Sequence, residues 1–349
     1  MTVAFVGMFS PAVRVLPGAA IRLGGAATWL SPLFAAAAGA GFAALIMFLM
    51  KNRREKEGLG ELVLRSVGKA GGKVILALTA LWLAFYSGFV LRISAERMLA
   101  SVFEKGGMAV FIAVTLGVSV LAALGKVKSL ARTAEIILLL GTLPAAAVLF
   151  SLSDLCAENL LPVRLADIKG IALGAVPMVD VLSKSIYLAF LAGHCKKQIG
   201  AAGQTALWAA AASVGFFVIM VTTVGTLSAE LAEEMENAFF SMIKNITIFG
   251  IVERIEAVIV AMWVLTDFIL LSALIMANGE IVRLILPGAS RRTAVLTIAA
   301  ASLLTSIFIS PSVFELQIFS ERIVPVVNLA FSIVILPLSL LIGRLRRVV

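Results

Sequence analysis

Long apolar runs alternate with short polar stretches along the whole chain, falling at about 2–22, 29–50, 74–100, 108–124, 133–151, 170–192, 205–227, 251–276, 293–310 and 323–343. A helix rising ~1.5 Å per residue needs roughly 20 apolar residues to cross a hydrocarbon core ~30 Å thick. The pattern therefore predicts ten membrane-spanning helices with short connections, an all-α polytopic membrane protein. Composition agrees. Of 349 residues, 61% are hydrophobic and 14% charged, with a mean hydropathy of +1.08, whereas soluble domains carry about 25% charged residues. The chain is read as a single integral membrane domain over 1–349, without room for a large soluble unit, which argues against an enzyme. The first run has no Lys or Arg before it and breaks at Ser10–Pro11, so it is expected to stay in the membrane rather than to be a cleaved leader.

A net charge of +9 would suggest nucleic acid in a soluble protein; in a polytopic chain it reflects basic cytoplasmic loops. Eighteen basic residues fall in alternate connections and at the C-terminus, among them Lys51, Arg53, Arg54, Lys126, Lys128, Lys196, Lys197, Arg291, Arg292, Arg344 and Arg346. The opposite connections hold six, Arg22, Lys105, Arg164, Lys169, Lys244 and Arg322, together with the acidic run Glu230, Glu233, Glu234 and Glu236. Both termini are thus expected in the cytoplasm.

Two connections carry structure of their own. Over 228–247, Leu231, Met235, Ala238, Phe239, Met242 and Ile246 recur at helical spacing with the glutamates opposite, which predicts an amphipathic helix on the membrane surface or capping the bundle. Over 59–73, apolar and basic residues alternate with Gly68, Gly71 and Gly72. That pattern fits a short interfacial helix on anionic head groups and fits a plain loop equally well.

Proline and glycine inside a spanning helix free backbone groups that hydrocarbon cannot solvate, so such breaks persist where they line a cavity or bind something polar. Span one carries Ser10, Pro11, Pro17 and Gly18; span six carries Gly170, Gly174 and Pro177 followed by Asp180. Ten spans divide as five plus five, repeat one about 1–151 and repeat two about 170–343, each opening on an interrupted helix. This is the pattern of an inverted-repeat transporter fold whose site lies between the breaks. The candidate ligand-binding residues are Ser10, Pro11, Ala12, Val13 and Arg14 at the first break and Gly174, Val176, Pro177, Val179 and Asp180 at the second. Pro144 and Pro337 are read as packing kinks.

Ionisable residues inside spans each cost at least ~2.5 kcal/mol at mid-bilayer unless paired or hydrated. Asp180 and Lys184 stand four apart on one helix face and can satisfy each other; Asp180 can also pair with Arg14 across the breaks, and Arg14 can bind a ligand carboxylate or reach an interface along its stem. Arg92 and Glu96 repeat the four-residue spacing in span three. Together with Glu253, Arg254 and Glu256 at the opening of span eight they are expected to form one interhelical charge network, and Asp267 lies deeper in that span. No GxxxxGK[ST] loop occurs, and His194 lies on a loop beside Cys195, Lys196 and Lys197. With two cysteines, Cys156 and Cys195, and a single histidine, no zinc motif, metal site or cofactor is expected.

The run Glu253-Arg254-Ile255-Glu256-Ala257 followed by Ala261-Met262-Trp263 resembles the "ERhEA…W" opening of the eighth helix in GerAB-type spore germination proteins, the B subunits of spore nutrient-germinant receptors within the amino acid–polyamine–organocation transporters. Gly68-Lys69 with Gly72-Lys73 is similar to the paired "GK" ahead of the third helix. Arg92 with Glu96 resembles that helix's "REhh[DE]" end, and Leu336-Pro337-Leu338 with Arg344, Arg346 and Arg347 the last helix and tail. The likeness spans essentially the whole chain. It departs at Ser10-Pro11, where the family has Gly followed by Ser or Thr, at Arg14, where it is usually apolar, and at Ile93, which replaces its first acid.

The resemblance implies a LeuT/APC-like fold with broken helices 1 and 6 in a spore inner membrane. It also implies a ligand-sensing subunit that binds a small nutrient, an amino acid being the leading class, beside a larger membrane A subunit and a lipoprotein C subunit. A secondary amino acid transporter coupled to H⁺ or Na⁺ is the rival, since it would use the same breaks.

Overall fold

Inside hydrocarbon every backbone N–H and C=O must find a partner within its own segment, which leaves an apolar run of this length no regular conformation but helix. A computed structural model describes residues 1–101, 107–195, 201–235, 237–244, 255–309 and 312–346, and among them helix is the only regular structure. The elements are α1 Thr2–Gly24, a 3₁₀ turn Ala26–Leu30, α2 Ser31–Met50, α3 Leu59–Val67, α4 Lys69–Ser101, α5 Met108–Leu124 and α6 Val127–Leu149. After short 3₁₀ turns follow α7 Ile168–Gly174, α8 Val176–Ser183, a 3₁₀ stretch Lys184–His194, α9 Ala201–Leu227, α10 Ala229–Glu234 and α11 Ala238–Lys244. The chain closes with α12 Ile255–Ile285, α13 Arg291–Phe308, α14 Val313–Ile318, α15 Val324–Leu329 and α16 Leu336–Leu345.

Among the described residues seven stretches are long and apolar enough to cross a membrane: Thr2–Gly24, Ala26–Met50, Lys69–Ala100, Gly203–Leu227, Ala257–Ile285, Arg291–Phe308 and Phe314–Leu345. Three more helical stretches, α5, α6 and the divided Ile168–His194 segment, coincide with the remaining predicted runs.

Interruptions differ between the two halves. Span six is divided as expected, at Ala175 and again where α8 passes into 3₁₀ helix at Lys184. Span one is not: α1 is helical from Thr2 to Gly24 with Pro11 and Pro17 inside it. Each proline lacks the N–H that would reach the carbonyl four residues back, so the expected break there is two missing donors, opposite Gly7 and Val13, rather than a gap. Packing holds the helix through them, since Ser10, Ala12, Val13 and Leu16 are all buried. The last span alternates α14, a π segment Phe319–Ile323, α15, a second π segment Ala330–Ile335 and α16. Pro325 and Pro337 open α15 and α16 and withhold amide donors there, which matches the usual cause of a local change of helical register.

Two apolar clusters organise the bundle, and α12 contributes to both. One gathers α3, α4, α13 and α16 around Leu83, Phe89 and Ile275; the other gathers α1, α8, α9 and α11 around Leu16, Met178 and Met220. α1 and α7 cross with backbones touching: a Cβ added at Gly170 would lie 2.5 Å from the Gly24 carbonyl oxygen. Beside that crossing the Ser31 hydroxyl donates to the Ile171 carbonyl at 2.7 Å.

Both structured connections are helical. Segment 59–67 is α3, ended by Gly68 at φ 97°, and it buries Leu59, Leu62 and Val63 completely. Arg53 beside it donates to the Ala192 carbonyl at 2.9 Å. The segment packs against α4, α16 and the 3₁₀ end of span six. The acidic connection forms two short helices, α10 and α11, instead of one; Phe239, Met242 and Ile243 are buried, while Leu231 is exposed. Ile246 lies outside the described residues.

Candidate functional site

Asp180 sits in the second half of span six, and its carboxylate is fully engaged. Oδ2 accepts from Lys184 Nζ at 2.5 Å and Oδ1 from Asn328 Nδ2 at 2.6 Å. Asn328 is oriented by Tyr187, whose hydroxyl donates to Oδ1 at 2.8 Å and accepts from Trp82 Nε1 at 3.1 Å. The Lys184 ammonium also lies 5.5 Å from the centre of the Tyr86 ring. All these side chains are buried, so spans three, six and ten are tied by one polar network with a directed donor and acceptor at each link. The four-residue spacing correctly pairs Asp180 with Lys184. The alternative pairing with Arg14 is absent.

A second buried link joins spans three and eight. Arg97 Nη2 lies 2.5 Å from Asp267 Oδ2, which also accepts from the Ser94 hydroxyl, and the guanidinium packs 5.1 Å from the Trp263 ring centre. Of the charge network expected at this level, only the part on span three falls within the described residues. Arg92 pairs with Glu96 at 3.0 Å on their own helix, while Glu253 and Arg254, and the side chain of Glu256, lie outside what the structure describes. Arg97 and Asp267, two charges separated by 170 positions, link the same two spans. Arg97 was not among the sequence candidates, because neither an i+3 nor an i+4 partner of opposite charge marks it.

Arg14 makes no ion pair with Asp180. Its Nη1 donates to Ser320 Oγ at 2.6 Å, in the first π segment of the last span, and its guanidinium stands 5.5 Å from the Phe89 ring centre. Here a cavity of about 190 Å³ opens between α1, α4, the connection after α10 and the last span. Arg14, Glu96, Arg97, Asn237, Gln317 and Glu321 supply its polar wall, and Val15, Ile93, Ala100 and Leu316 its apolar one. At ~30 Å³ per water-sized group there is room for about six such groups. Glu321 is held from outside by Arg22 at the end of α1, which also donates to the Glu233 carbonyl at 2.8 Å.

A family model described as spore germination protein matches residues 2–313. The chain belongs to the spore germination protein family. No curated protein matches it. Among solved structures it is similar to Mhp1, a nucleobase-cation-symport-1 family transporter in a closed conformation with bromovinylhydantoin bound. That likeness has a TM-score of 0.61 at 14% identity, over 91% of this chain and 73% of that one. The fold is therefore the inverted-repeat transporter fold expected from the paired interruptions.

Within this germination-family bundle the predicted site residues separate into distinct surroundings. Ser10, Pro11, Ala12 and Val13 are buried in the packing of α1. Gly174 is a contact point, where a Cβ would lie 2.6 Å from Ser31 Oγ. Pro177 is buried, Val179 half-buried, and Val176 is 39% exposed and turned out of the bundle. Only Arg14 reaches the open cavity. Missed by sequence reasoning were Arg97, Asn237, Ser320 and Asn328; the π-flanked Asn328 had one available signal, a lone amide in an otherwise apolar run.

Proposed function

We propose that this protein is the nutrient-sensing B subunit of a spore germinant receptor in the spore inner membrane, with both termini cytoplasmic. A small nutrient, with amino acids as the leading class, binds and triggers germination through a membrane A subunit and a lipoprotein C subunit. The observation that carries this reading is a polar cavity, against an otherwise apolar α1, in a chain of the spore germination family. Ligand binding can be transmitted because Arg14 joins α1 to a π segment of the last span. A ligand that draws Arg14 from Ser320 favours one packing of that span over another, which is all a population shift requires.

The second reading, a secondary amino acid transporter coupled to H⁺ or Na⁺, is favoured by the likeness to a symport-family transporter. Two measurements separate them. A strain lacking this protein should lose its response to one nutrient and regain it on complementation, while purified protein in vesicles should bind labelled amino acid without accumulating it. Cation-driven accumulation, with germination unaffected by deletion, would establish the transporter instead.

A further inference from the structure

A second cavity, of about 670 Å³, lies between α5 and α13 and shares no lining residue with the Arg14 cavity. Its wall is apolar except at one end. Ile112, Leu116 and Val120 of α5 face Leu296, Ala299 and Leu303 of α13, and Arg92 of α4 stands with Met108 and Ile307 at the mouth. Met108 opens α5 and Phe308 closes α13, so the guanidinium lies level with these helix ends and the apolar wall runs into the membrane from it. From Met108 to Val120 that wall is about 18 Å long at 1.5 Å per residue, a little more than one leaflet of a hydrocarbon core ~30 Å thick. At its far end the groove has a floor. Arg291 donates to the Ala123 carbonyl at 3.0 Å and to the Gly125 carbonyl, bridging the start of α13 to the end of α5.

These dimensions decide the occupant. Water in a cavity needs two to four polar partners, and inward of Arg92 the lining side chains offer none. Val114 and Val118 of α5 and Leu304 of α13, beside the lining residues, are exposed, so the groove opens on hydrocarbon. A partner's spanning helix would run the full ~30 Å and meet the Arg291 bridge, whereas an acyl chain has the depth of one leaflet and needs no hydrogen bond. Arg92 supplies the other end of the ligand. Its Nε and Nη2 hold Glu96 Oε1 at 3.1 and 3.0 Å, while Nη1 reaches the Ser306 carbonyl only at 3.5 Å, the outer limit of a hydrogen bond. Glu96 lines the Arg14 cavity and not this one, so a phosphate at the mouth can take the Nη1 donors without displacing it, and the guanidinium fork suits a phosphate. We propose that the α5–α13 groove binds one acyl chain of a glycerophospholipid whose phosphate sits on Arg92. The lipid comes from the leaflet at that end of the bundle, the outer one in the orientation proposed above.

The test is native mass spectrometry of the purified full chain released from detergent, with dioleoylphosphatidylglycerol, dioleoylglycerol and glycerol 3-phosphate added separately. The phospholipid should saturate at one per chain; dioleoylglycerol, with the same chains and no phosphate, should bind about tenfold more weakly, and glycerol 3-phosphate should not bind. Gly117 lines the groove and a Cβ there would meet nothing within 4 Å. Gly117→Leu therefore fills the space without a clash and should weaken phospholipid binding about tenfold or more, whereas Val118→Leu, outside the lining, should leave it unchanged. Arg92→Gln should lower the phospholipid to the level of dioleoylglycerol and leave dioleoylglycerol itself unaffected. If Arg92→Gln does not fold, the wild-type lipid series and Gly117→Leu still decide. Binding without saturation at one, equal affinity for the phospholipid and dioleoylglycerol, wild-type binding by Gly117→Leu, or an equal loss in Val118→Leu would each overturn the assignment. A lipid-free dimer dissolved by Gly117→Leu would overturn it too, giving the groove to a helix of a second copy.

Discussion

Removing the carboxylate of Asp267 should destabilise the bundle several times more than removing that of Glu96, although both belong to ion pairs. Arg97 and Asp267 are 8% and 2% exposed and join α4 to α12 at 2.5 Å, and the Ser94 hydroxyl donates to the same oxygen. Asp267→Ala removes the carboxylate that Arg97 and the Ser94 hydroxyl share in a buried position, a loss of about 3–5 kcal/mol. The i,i+4 pair Arg92–Glu96, with side chains 13% and 19% exposed on a single helix, should contribute about 0.3–0.5 kcal/mol. Glu96→Gln is therefore the matched control. Replacing both partners with apolar residues, Arg97→Met with Asp267→Leu, should recover most of the loss, because two desolvated ions are exchanged for packing. A double-mutant cycle on unfolding in detergent, read by tryptophan fluorescence and by retention on size exclusion, yields the coupling energy. If Asp267→Ala lies within about 1 kcal/mol of wild type, or the double variant is no better than the single one, the pair is hydrated and the reasoning from burial is wrong.

Tyr187→Phe deprives Asn328 Oδ1 of its donor and Trp82 Nε1 of its acceptor, so stability should fall by about 1–3 kcal/mol; an unchanged unfolding midpoint would mean that the network does not tie spans three, six and ten. Gly170→Ala places a methyl 2.5 Å from the Gly24 carbonyl oxygen and should lower the yield of folded protein, whereas Gly203→Ala, with open space around it, should be neutral or slightly stabilising by helix propensity. Arg22→Gln breaks an ion pair whose side chains are 29% and 26% exposed, worth about 0–1 kcal/mol; a large drop in midpoint would show that this surface pair is more strongly coupled than its exposure implies.

Hydropathy located the seven stretches long and apolar enough to cross a membrane among the described residues, because hydrocarbon leaves the backbone one regular solution and helix length follows from membrane thickness. The paired interruptions pointed to the right fold for the same reason: freed backbone groups are tolerated only where something else satisfies them. Here they are marked by Pro177 and Gly174 in span six and by Pro11 and Pro17 in span one. Local chemistry was legible to the distance of one helical turn, which is why Asp180–Lys184 and Arg92–Glu96 were correctly paired within their own helices.

Beyond one turn the sequence is silent about partners. Arg97 meets Asp267 across 170 positions, Arg14 meets Ser320 across 306, and Asn328 meets Asp180 across 148. An apolar run states that a segment leaves water, but it leaves open the rotation of each helix about its axis when most of its faces are apolar. That rotation is set by packing against all the neighbours at once, through contacts as particular as Gly24 on Gly170. It places Arg14 on the cavity wall, keeps α1 helical through two prolines, and leaves Val176 facing outward. Composition and pattern thus determined an all-helical, transporter-like membrane bundle, and tertiary packing decided which charges meet beyond one helical turn and which side chains line the cavity.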